Sequence, residues 1–373
     1  MRVWKLIGLT LALCLADVTA APVPQTWAYL GWWLPEAWRS APLGELDRIL
    51  FFEFKVEPSG AITDRHGWPG DWVDLRASLL LHQTHLDLTL TLLEPSVFNR
   101  VFSSDEATQR MLDESVALGA GKGVGGIQLD VEIYELVTPD RIARFRSLVS
   151  VLASRLRELS PPRSLSAFVP MGGKSQLYDA DTLALMDKIV LQGYDSHWAG
   201  SKNAGPVAPL RGAEVVTWQN AVAHATALGV TKKNMVLGFP LFGYEWPVKG
   251  KKLRSHTAGR GMATTFSPLA STLRGEFPIS VQQQVQMYGA GYDAASGSSY
   301  YQYRKKNGQL VEGWFEDWWS LERKADYLVA EQLGGIAFFL LGYDNGQLIE
   351  HFLRRRGPKE LPLQSHLIEK SPI

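Results

Sequence analysis

Acid–base chemistry is suggested by one short segment, Gly125-Gly126-Ile127-Gln128-Leu129-Asp130-Val131-Glu132. Its apolar and polar residues alternate, and the last three polar positions are Gln128, Asp130 and Glu132. In a strand, residues two apart share one face, so an amide and two carboxyls would lie about 7 Å apart along it. Burying two carboxyls costs free energy, so a buried pair indicates a function. One such function is a general acid beside a charged partner. The alternative is an Asp-x-Glu pair on a solvent-facing strand.

Short apolar segments that could position these carboxyls recur along the chain and alternate with amphipathic ones. The apolar segments predict strands at Trp27–Gly31, Ile49–Phe54, Leu86–Leu92, Gly126–Val131, Leu165–Val169, Lys188–Tyr194, Met235–Phe239 and Gly335–Leu340.

Helix ends are recognisable between the predicted strands. Ser104 can cap a helix that runs to Leu118, and Thr138-Pro139 places a capping residue before a proline at the first position of a helix toward Leu159. Thr217 opens another helix, and Leu321 to Leu333 is predicted to be the last one.

Eight strands that alternate with helices predict a parallel sheet closed into an α/β barrel of the (β/α)8 TIM type, over residues 21–356. Residues 245–312 interrupt the alternation, because they are rich in Gly, Ser, Lys, Tyr and Gln. We interpret them as a small inserted β-rich subdomain between strands seven and eight that walls one side of a cleft. Residues 357–373, polar and containing prolines, are predicted to be a disordered tail.

The predicted strand ends carry carboxyls and aromatic rings, and the C-terminal ends of strands hold the active residues of such barrels. Besides Glu132 they include Asp195 after strand six, Phe339 in strand eight, Tyr29 in strand one and Glu53 in strand two. Aromatic rings among carboxyls are typical of carbohydrate-binding clefts. Glu53 is equally well explained by a buried ion pair with an arginine.

Composition excludes several classes of partner. The chain has 373 residues, 46% of them hydrophobic and 20% charged, with 38 basic and 38 acidic side chains. This balance gives no indication of nucleic acid or an anionic membrane as partner. The 13 tryptophans and 12 tyrosines suit core packing and also stacking on sugars. The histidines lack metal-ligand spacing, so we expect neither a metal nor a cofactor.

The N-terminus resembles an export signal. Arg2 and Lys5 precede an apolar run from Leu6 to Ala16, and Val18-Thr19-Ala20 fits a small-residue cleavage site. We therefore predict a signal peptide over residues 1–20, a periplasmic or secreted protein, and no integral membrane segment in the mature chain. Cys14, the single cysteine, lies within the signal, and Leu13 before it disfavours lipid anchoring.

Several ordered motifs resemble glycoside hydrolase family 18, the family of chitinases and endo-acting N-acetylglucosaminidases. The segment Gly125–Glu132 is similar to the strand-four motif Asp-Gly-x-Asp-x-Asp-x-Glu, and Gln192-Gly193-Tyr194-Asp195 to the strand-six motif Met-x-Tyr-Asp. Met235–Gly243 resembles the strand-seven signature, and Trp319–Tyr327 the segment before strand eight. The similarity extends from Thr26 to Leu353.

The resemblance implies a substrate-assisted, retaining reaction on β-1,4-linked N-acetylglucosamine glycans, either chitin oligomers or peptidoglycan. Glu132 would be the general acid and base, Asp130 would hold and stabilise the substrate's acetamido group, and Tyr194 would donate a hydrogen bond to it. The residues expected to contact or surround the glycan are Gln128, Asp195, Gln192, Trp198, Tyr29, Trp32 and Phe339.

Three positions depart from the family pattern. Gly125 and Gln128 replace two motif aspartates, and Phe339 stands where chitinases usually have a tryptophan. Gln128 could hydrogen-bond Asp130 but carries no charge, so Asp130 would ionise more easily. Gln128 is better explained as a supporting amide than as a direct substrate contact. The departures also leave open a catalytically inactive, lectin-like protein that binds the same glycans. The oligomeric state is not indicated.

Overall fold

Eight parallel strands form a closed barrel. The computed structural model describes residues 23–173, 176–269, 275 and 277–357. Numbered along the chain, the barrel strands are β1 (Gln25–Gly31), β2 (Arg48–Lys55), β3 (His85–Leu92), β4 (Gly126–Val131), β5 (Ser164–Val169), β6 (Lys188–Leu191), β7 (Met235–Pro240) and β14 (Gly335–Phe339). The sheet closes in the order β1-β14-β7-β6-β5-β4-β3-β2. The predicted α/β barrel is confirmed.

Helices surround the barrel and bury their apolar faces against it. They are α1 (Val73–Leu81), α2 (Pro95–Val101), α3 (Asp105–Gly119), α4 (Pro139–Arg157), α5 (Ala180–Leu183), α6 (Trp218–Ala227), α8 (Trp318–Ala330) and α9 (Gln347–Arg356). Short 3-10 helices at Ala37–Ser40 and Leu43–Glu45 connect β1 to β2. Among the described residues, no helix is both long and apolar enough to span a membrane.

The inserted subdomain lies between β7 and β14, as predicted. Its strands, β8 (Phe242–Val248), β9 (Met262–Thr265), β10 (Ile279–Ser280), β11 (Gly291–Asp293), β12 (Ser298–Arg304) and β13 (Leu310–Phe315), form one sheet in the order β10-β9-β8-β13-β12-β11. The subdomain begins close after β7, at Phe242, and also contains a helix, α7 (Val281–Tyr288), which the sequence did not indicate.

The predicted helix ends are partly correct. Ser104 Oγ accepts a hydrogen bond from Ala107 N, and Thr217 caps α6 in the same way. Thr138 precedes α4, but its side chain accepts no capping bond. The helix predicted from Leu321 begins earlier, at Trp318, because Asp317 and Ser320 cap it reciprocally.

The prediction of a last helix at Leu321–Leu333 was wrong, because α9 follows β14. Asp344 caps α9: Oδ2 accepts from Leu348 N at 2.9 Å and from Ile349 N at 3.1 Å. The predicted signal peptide with Cys14, and the tail beyond Gly357, lie outside the described residues.

Register arranges the barrel interior in layers. Asp87, Gly126 and Ser164 align across β3, β4 and β5. Thr89, Gln128 and Ser166 form the next layer, followed by Thr91, Asp130 and Phe168. Such layers are usual for a TIM barrel, but branched apolar residues normally fill them. Here polar side chains lead along the axis to the C-terminal end of β4, where Glu132 follows.

Candidate active site

A cavity of about 270 Å³ lies at the C-terminal end of the barrel. Barrel strands and the loops that follow them supply most of its wall, and the inserted subdomain supplies the rest, as we expected. The lining residues are Tyr29, Phe52, Asp130, Glu132, Phe168, Tyr194, Asp195, Phe242, Tyr244, Ala263, Phe277, Phe339 and Tyr343.

Most of the predicted site residues meet in this cavity. Asp130, Glu132, Tyr194, Asp195, Tyr29 and Phe339 all line it. Gln128 does not, because it is completely buried beneath the cavity, and Gln192 is buried beside it. Trp32 and Trp198 are also not among the lining residues. Trp32 stacks on His66 with ring centroids 4.1 Å apart, and Trp198 lies under the Arg260 guanidinium.

The carboxyls from β4 are protonated more readily than ordinary carboxyls. Burial, followed by the charges of Glu132 and Glu53, raises the pKa of Asp130 well above its usual value. Burial also raises the pKa of Glu132, and a hydrogen bond from Tyr134 opposes the rise. A general acid must hold its proton near neutral pH, so a raised pKa suits this role for Glu132.

Gln128 has a different partner from the one we expected. Its Oε1 accepts a hydrogen bond of 3.1 Å from Thr89 Oγ1, whereas Nε2 and Asp130 Oδ1 both have no hydrogen-bond partner among the described residues. The expected Gln128–Asp130 bond is therefore absent. Burial nevertheless holds the pKa of Asp130 well above its usual value, and the expectation that Asp130 ionises more easily beside Gln128 than beside an aspartate stays a prediction.

A carboxylate lies beside Gly125 even though the motif aspartate is missing. A Cβ added to Gly125 would be 3.4 Å from Asp87 Oδ1. Asp87 is fully buried in β3 and pairs with Arg48, whose Nη1 also donates to Ser164 Oγ at 2.9 Å. The carboxyl group beside Gly125 therefore comes from β3. The sequence showed Asp87 only as a polar residue within an apolar strand.

Glu53 lies on β2, which β3 separates from β4, and its charge helps to raise the pKa of Asp130. It accepts a hydrogen bond of 2.8 Å from Thr91 Oγ1, and its ion-pair partner is Lys55 at 3.6 Å, not an arginine. The register of β2 on β3 shifts between Phe51 and Phe54. Phe52 and Glu53 lie within this irregularity, and Phe52 faces the cavity.

Asp195 contributes a third carboxyl, in the loop after β6. The strand ends at Leu191 rather than at Tyr194, so Gln192 to Asp195 belong to the loop. Burial and the charge of Glu132 raise the pKa of Asp195 to about 7, and the nearby Tyr244 hydroxyl opposes the rise. Asp195 has a left-handed backbone with φ of 60° and caps no helix, in contrast to Asp344.

Aromatic rings form the wall around these carboxyls. Phe339 lies 5.3 Å from Tyr29, 5.4 Å from Phe52 and 6.0 Å from Tyr194, measured between ring centroids. The ring of Tyr194 packs against the backbone of Gly238. A Cβ at that position would lie only 2.8 Å from the ring, so the missing side chain of Gly238 makes room for Tyr194. Burial raises the pKa of the Tyr194 hydroxyl, so it remains a hydrogen-bond donor.

Several lining residues were missed by the sequence analysis. Phe168 could have been found, since it aligns with Asp130 in the predicted sheet. Phe52, Phe242, Tyr244, Ala263, Phe277 and Tyr343 carried no local signal, because a bulge, a loop or the inserted sheet places them. Among the described residues, no cluster of three His, Cys, Asp or Glu side chains could hold a metal ion.

The closed barrel, with carboxyls and aromatic rings around a cavity at the C-terminal strand ends, defines a protein of the glycosidase class. The chain belongs to the glycosyl hydrolases family 18, whose family model matches residues 93–344. The family predicted from the motifs is thereby confirmed.

Relatives and solved structures agree with this assignment. A cortical fragment-lytic enzyme of Bacillus subtilis is 25% identical over 304 residues, 78% of this chain and 63% of that protein. B. subtilis YdhD, named as a sporulation-specific glycosylase, is 24% identical over 79% of this chain and 65% of its own length. The chain thus spans just under two thirds of both relatives.

The fold is shared with a family GH18 chitinase from Cycas revoluta, solved in complex with allosamidin. The TM-score is 0.75 at 19% identity, over 89% of this chain and 99% of the chitinase. The Bacillus cereus spore cortex-lytic enzyme SleL gives a TM-score of 0.68 at 17% identity, over 88% of this chain and 74% of that chain.

Proposed function

We propose that this protein hydrolyses β-1,4-linked N-acetylglucosamine glycans, chitin oligomers or peptidoglycan, by substrate-assisted retaining catalysis. One observation carries the proposal: Glu132, directly after the end of β4, lines the cavity together with Asp130 of that strand, and burial raises the pKa of both carboxyls. A protonated acid above a second carboxyl is the arrangement that this reaction requires.

In the proposed reaction, Glu132 gives its proton to the glycosidic oxygen as the bond from that oxygen to C1 breaks. The carbonyl oxygen of the substrate's acetamido group attacks C1 and forms a cyclic oxazolinium ion. Glu132, now a carboxylate, takes a proton from water, and the water oxygen opens the ring at C1. Asp130 stabilises the positive charge, and the Tyr194 hydroxyl orients the acetamido carbonyl.

Asp195 is another carboxyl that could attack C1, since it lines the same cavity from the loop after β6. Its pKa of about 7 makes it largely neutral below neutral pH, and a neutral carboxyl is a poor nucleophile. This favours attack by the substrate's own acetamido group. The Asp195 side chain then serves to bind the sugar or to tune Glu132.

The substrate class rests on the size of the cavity and on the relatives. A volume of about 270 Å³ lies just below the range of about 300–1,000 Å³ that drug-sized ligands fill, which suits one sugar ring. Relatives are named for cortex lysis, and a chitinase of the same fold has been solved with (GlcNAc)3. We propose export through the N-terminal segment, as its sequence predicts.

The test incubates the purified protein with a ladder of chitooligosaccharides and with peptidoglycan, from about pH 4 to about pH 9. We expect shorter products that retain the β configuration. Glu132→Gln should lower kcat by a factor of about 10³, whereas Glu135→Gln, at an exposed position in the same loop, should have no effect. Binding by calorimetry without any product would support the lectin-like alternative instead.

A further inference from the structure

Tyr134 makes a direct contact with the proposed general acid. It lies two residues beyond Glu132, in the loop from β4 to α4, and its hydroxyl donates a hydrogen bond of 2.5 Å to Glu132 Oε2. An oxygen that accepts such a bond is a poor site for the acidic proton, which is then held on Oε1. The bond therefore determines which oxygen of Glu132 can transfer a proton.

Gln192 connects Tyr134 to two other barrel strands. Its Nε2 lies 3.5 Å from the Tyr134 hydroxyl, and its Oε1 accepts a hydrogen bond of 2.6 Å from Met171 N, after β5. Gln192 is 5% exposed, so its amide has a fixed environment. In the strand-six motif this position is a methionine, which cannot donate a hydrogen bond. The connection therefore depends on Gln192, a fourth position at which this chain differs from the family motifs, in addition to Gly125, Gln128 and Phe339.

Packing alone does not explain Tyr134. Its side chain is 43% exposed, so the ring buries too little surface to stabilise the fold strongly. Gly173 lies against it, because a Cβ there would be 3.4 Å from both Cα and Cδ1 of Tyr134. The ring is thus held between the β5 loop and the β4 loop, with its hydroxyl on Glu132.

We propose that Tyr134, held by Gln192, is a positioning residue that fixes Glu132 Oε2 and stabilises the carboxylate that forms after proton transfer. This inference rests on the proposed role of Glu132 as the general acid. A donor to the charged form favours that form, so Tyr134 lowers the pKa of Glu132 against the effect of burial.

Tyr134→Phe tests the inference, since it removes only the hydroxyl. We expect kcat to fall about tenfold with a smaller change in KM, because the proton is no longer held in position. The basic limb of the kcat/KM profile should move to higher pH, since Glu132 then keeps its proton longer. Gln192→Met should cause a smaller change in the same direction. Tyr288→Phe, an equally exposed tyrosine that stacks on Tyr303, should change neither quantity.

A second measurement does not depend on turnover. In the free protein labelled with ¹³C at glutamate carboxyls, the Glu132 resonance, assigned with Glu132→Gln, should titrate at higher pH in Tyr134→Phe than in the wild type. An unchanged titration and an unchanged pH profile would overturn the inference. Absence of cleavage in the wild type would instead refute the proposed function, and the titration would still decide whether Tyr134 controls Glu132.

Discussion

Thr89 Oγ1 donates a hydrogen bond of 3.1 Å to Gln128 Oε1, inside the barrel and one layer beneath Asp130. This bond orients the amide of Gln128, and it leaves Nε2 without a hydrogen-bond partner within the described part of the chain. The position that would carry a negative charge in the family motif is thus neutral here. The raised pKa of Asp130 depends on burial and on Glu132 and Glu53 instead.

Gln128→Glu adds a charge at this position without changing the size of the side chain. Burial and the nearby Asp130 should raise the pKa of the new carboxyl in the folded protein above its value of about 4.3 in the unfolded chain. The folded state then binds the proton more tightly, so stability relative to the wild type should fall as pH rises from about 4 to about 8. Thermal unfolding across this range measures the effect.

The control for that experiment is Gln219→Glu, at an exposed position in the first turn of α6. Its stability relative to the wild type should vary little with pH. If the stability difference between Gln128→Glu and the wild type were also constant across the range, position 128 would not be as strongly buried, or as close to Asp130, as the structure indicates.

Asp195→Asn removes the carboxyl whose pKa is about 7. In the wild type, the raised pKa means that unfolding becomes easier as pH rises from about 4 to about 7. The wild type loses at most about 4 kcal/mol of its free energy of unfolding over this range. This limit follows from a pKa raised by about three units at about 1.4 kcal/mol per unit. The variant should therefore gain stability relative to the wild type over this interval, and the ionisation near pH 7 should disappear from its pH–rate profile.

Thermal unfolding and kcat/KM as functions of pH measure both effects. Asp181→Asn, at an exposed position on α5, should show neither. A pH–rate profile that kept its ionisation near pH 7 in Asp195→Asn would assign that ionisation to another group.

Phe338 and Phe339 are neighbours on β14 that face opposite sides of the barrel wall. Phe339 lines the cavity, whereas Phe338 is fully buried against Phe239 and Phe352. Phe339→Ala should lower kcat/KM about tenfold, or about 1.4 kcal/mol, because the sugar loses an aromatic contact. Phe338→Ala should lower the free energy of unfolding by about 3–5 kcal/mol and leave the kcat/KM of the folded protein nearly unchanged.

Steady-state kinetics and chemical denaturation of the two variants together separate binding from packing. The assignment of Phe339 to the substrate site would be wrong if Phe339→Ala reduced stability as strongly as Phe338→Ala and left kcat/KM intact.

Much of the site could be predicted because its central residues lie on β4 or directly after it. The alternation through Gln128, Asp130 and Glu132 is local, and a strand places alternate side chains on one face in any sheet. The succession of strands and helices likewise predicted the barrel, and the barrel predicted that Asp195 and Phe339 would lie near Glu132 at the strand ends. The helix α9 was missed because the segment after β14 was not recognised as a helix.

The sequence by itself determined the barrel, the carboxyls of β4 and the family. Only the tertiary structure decided the contacts around the site. These are the hydrogen bond of Tyr134 to Glu132, the position of Asp87 beside Gly125, and the place of Phe52 in the cavity wall. The physical reason is that side-chain alternation depends on consecutive residues, whereas contacts between strands depend on register, bulges and loop conformation, which are fixed only when the barrel closes.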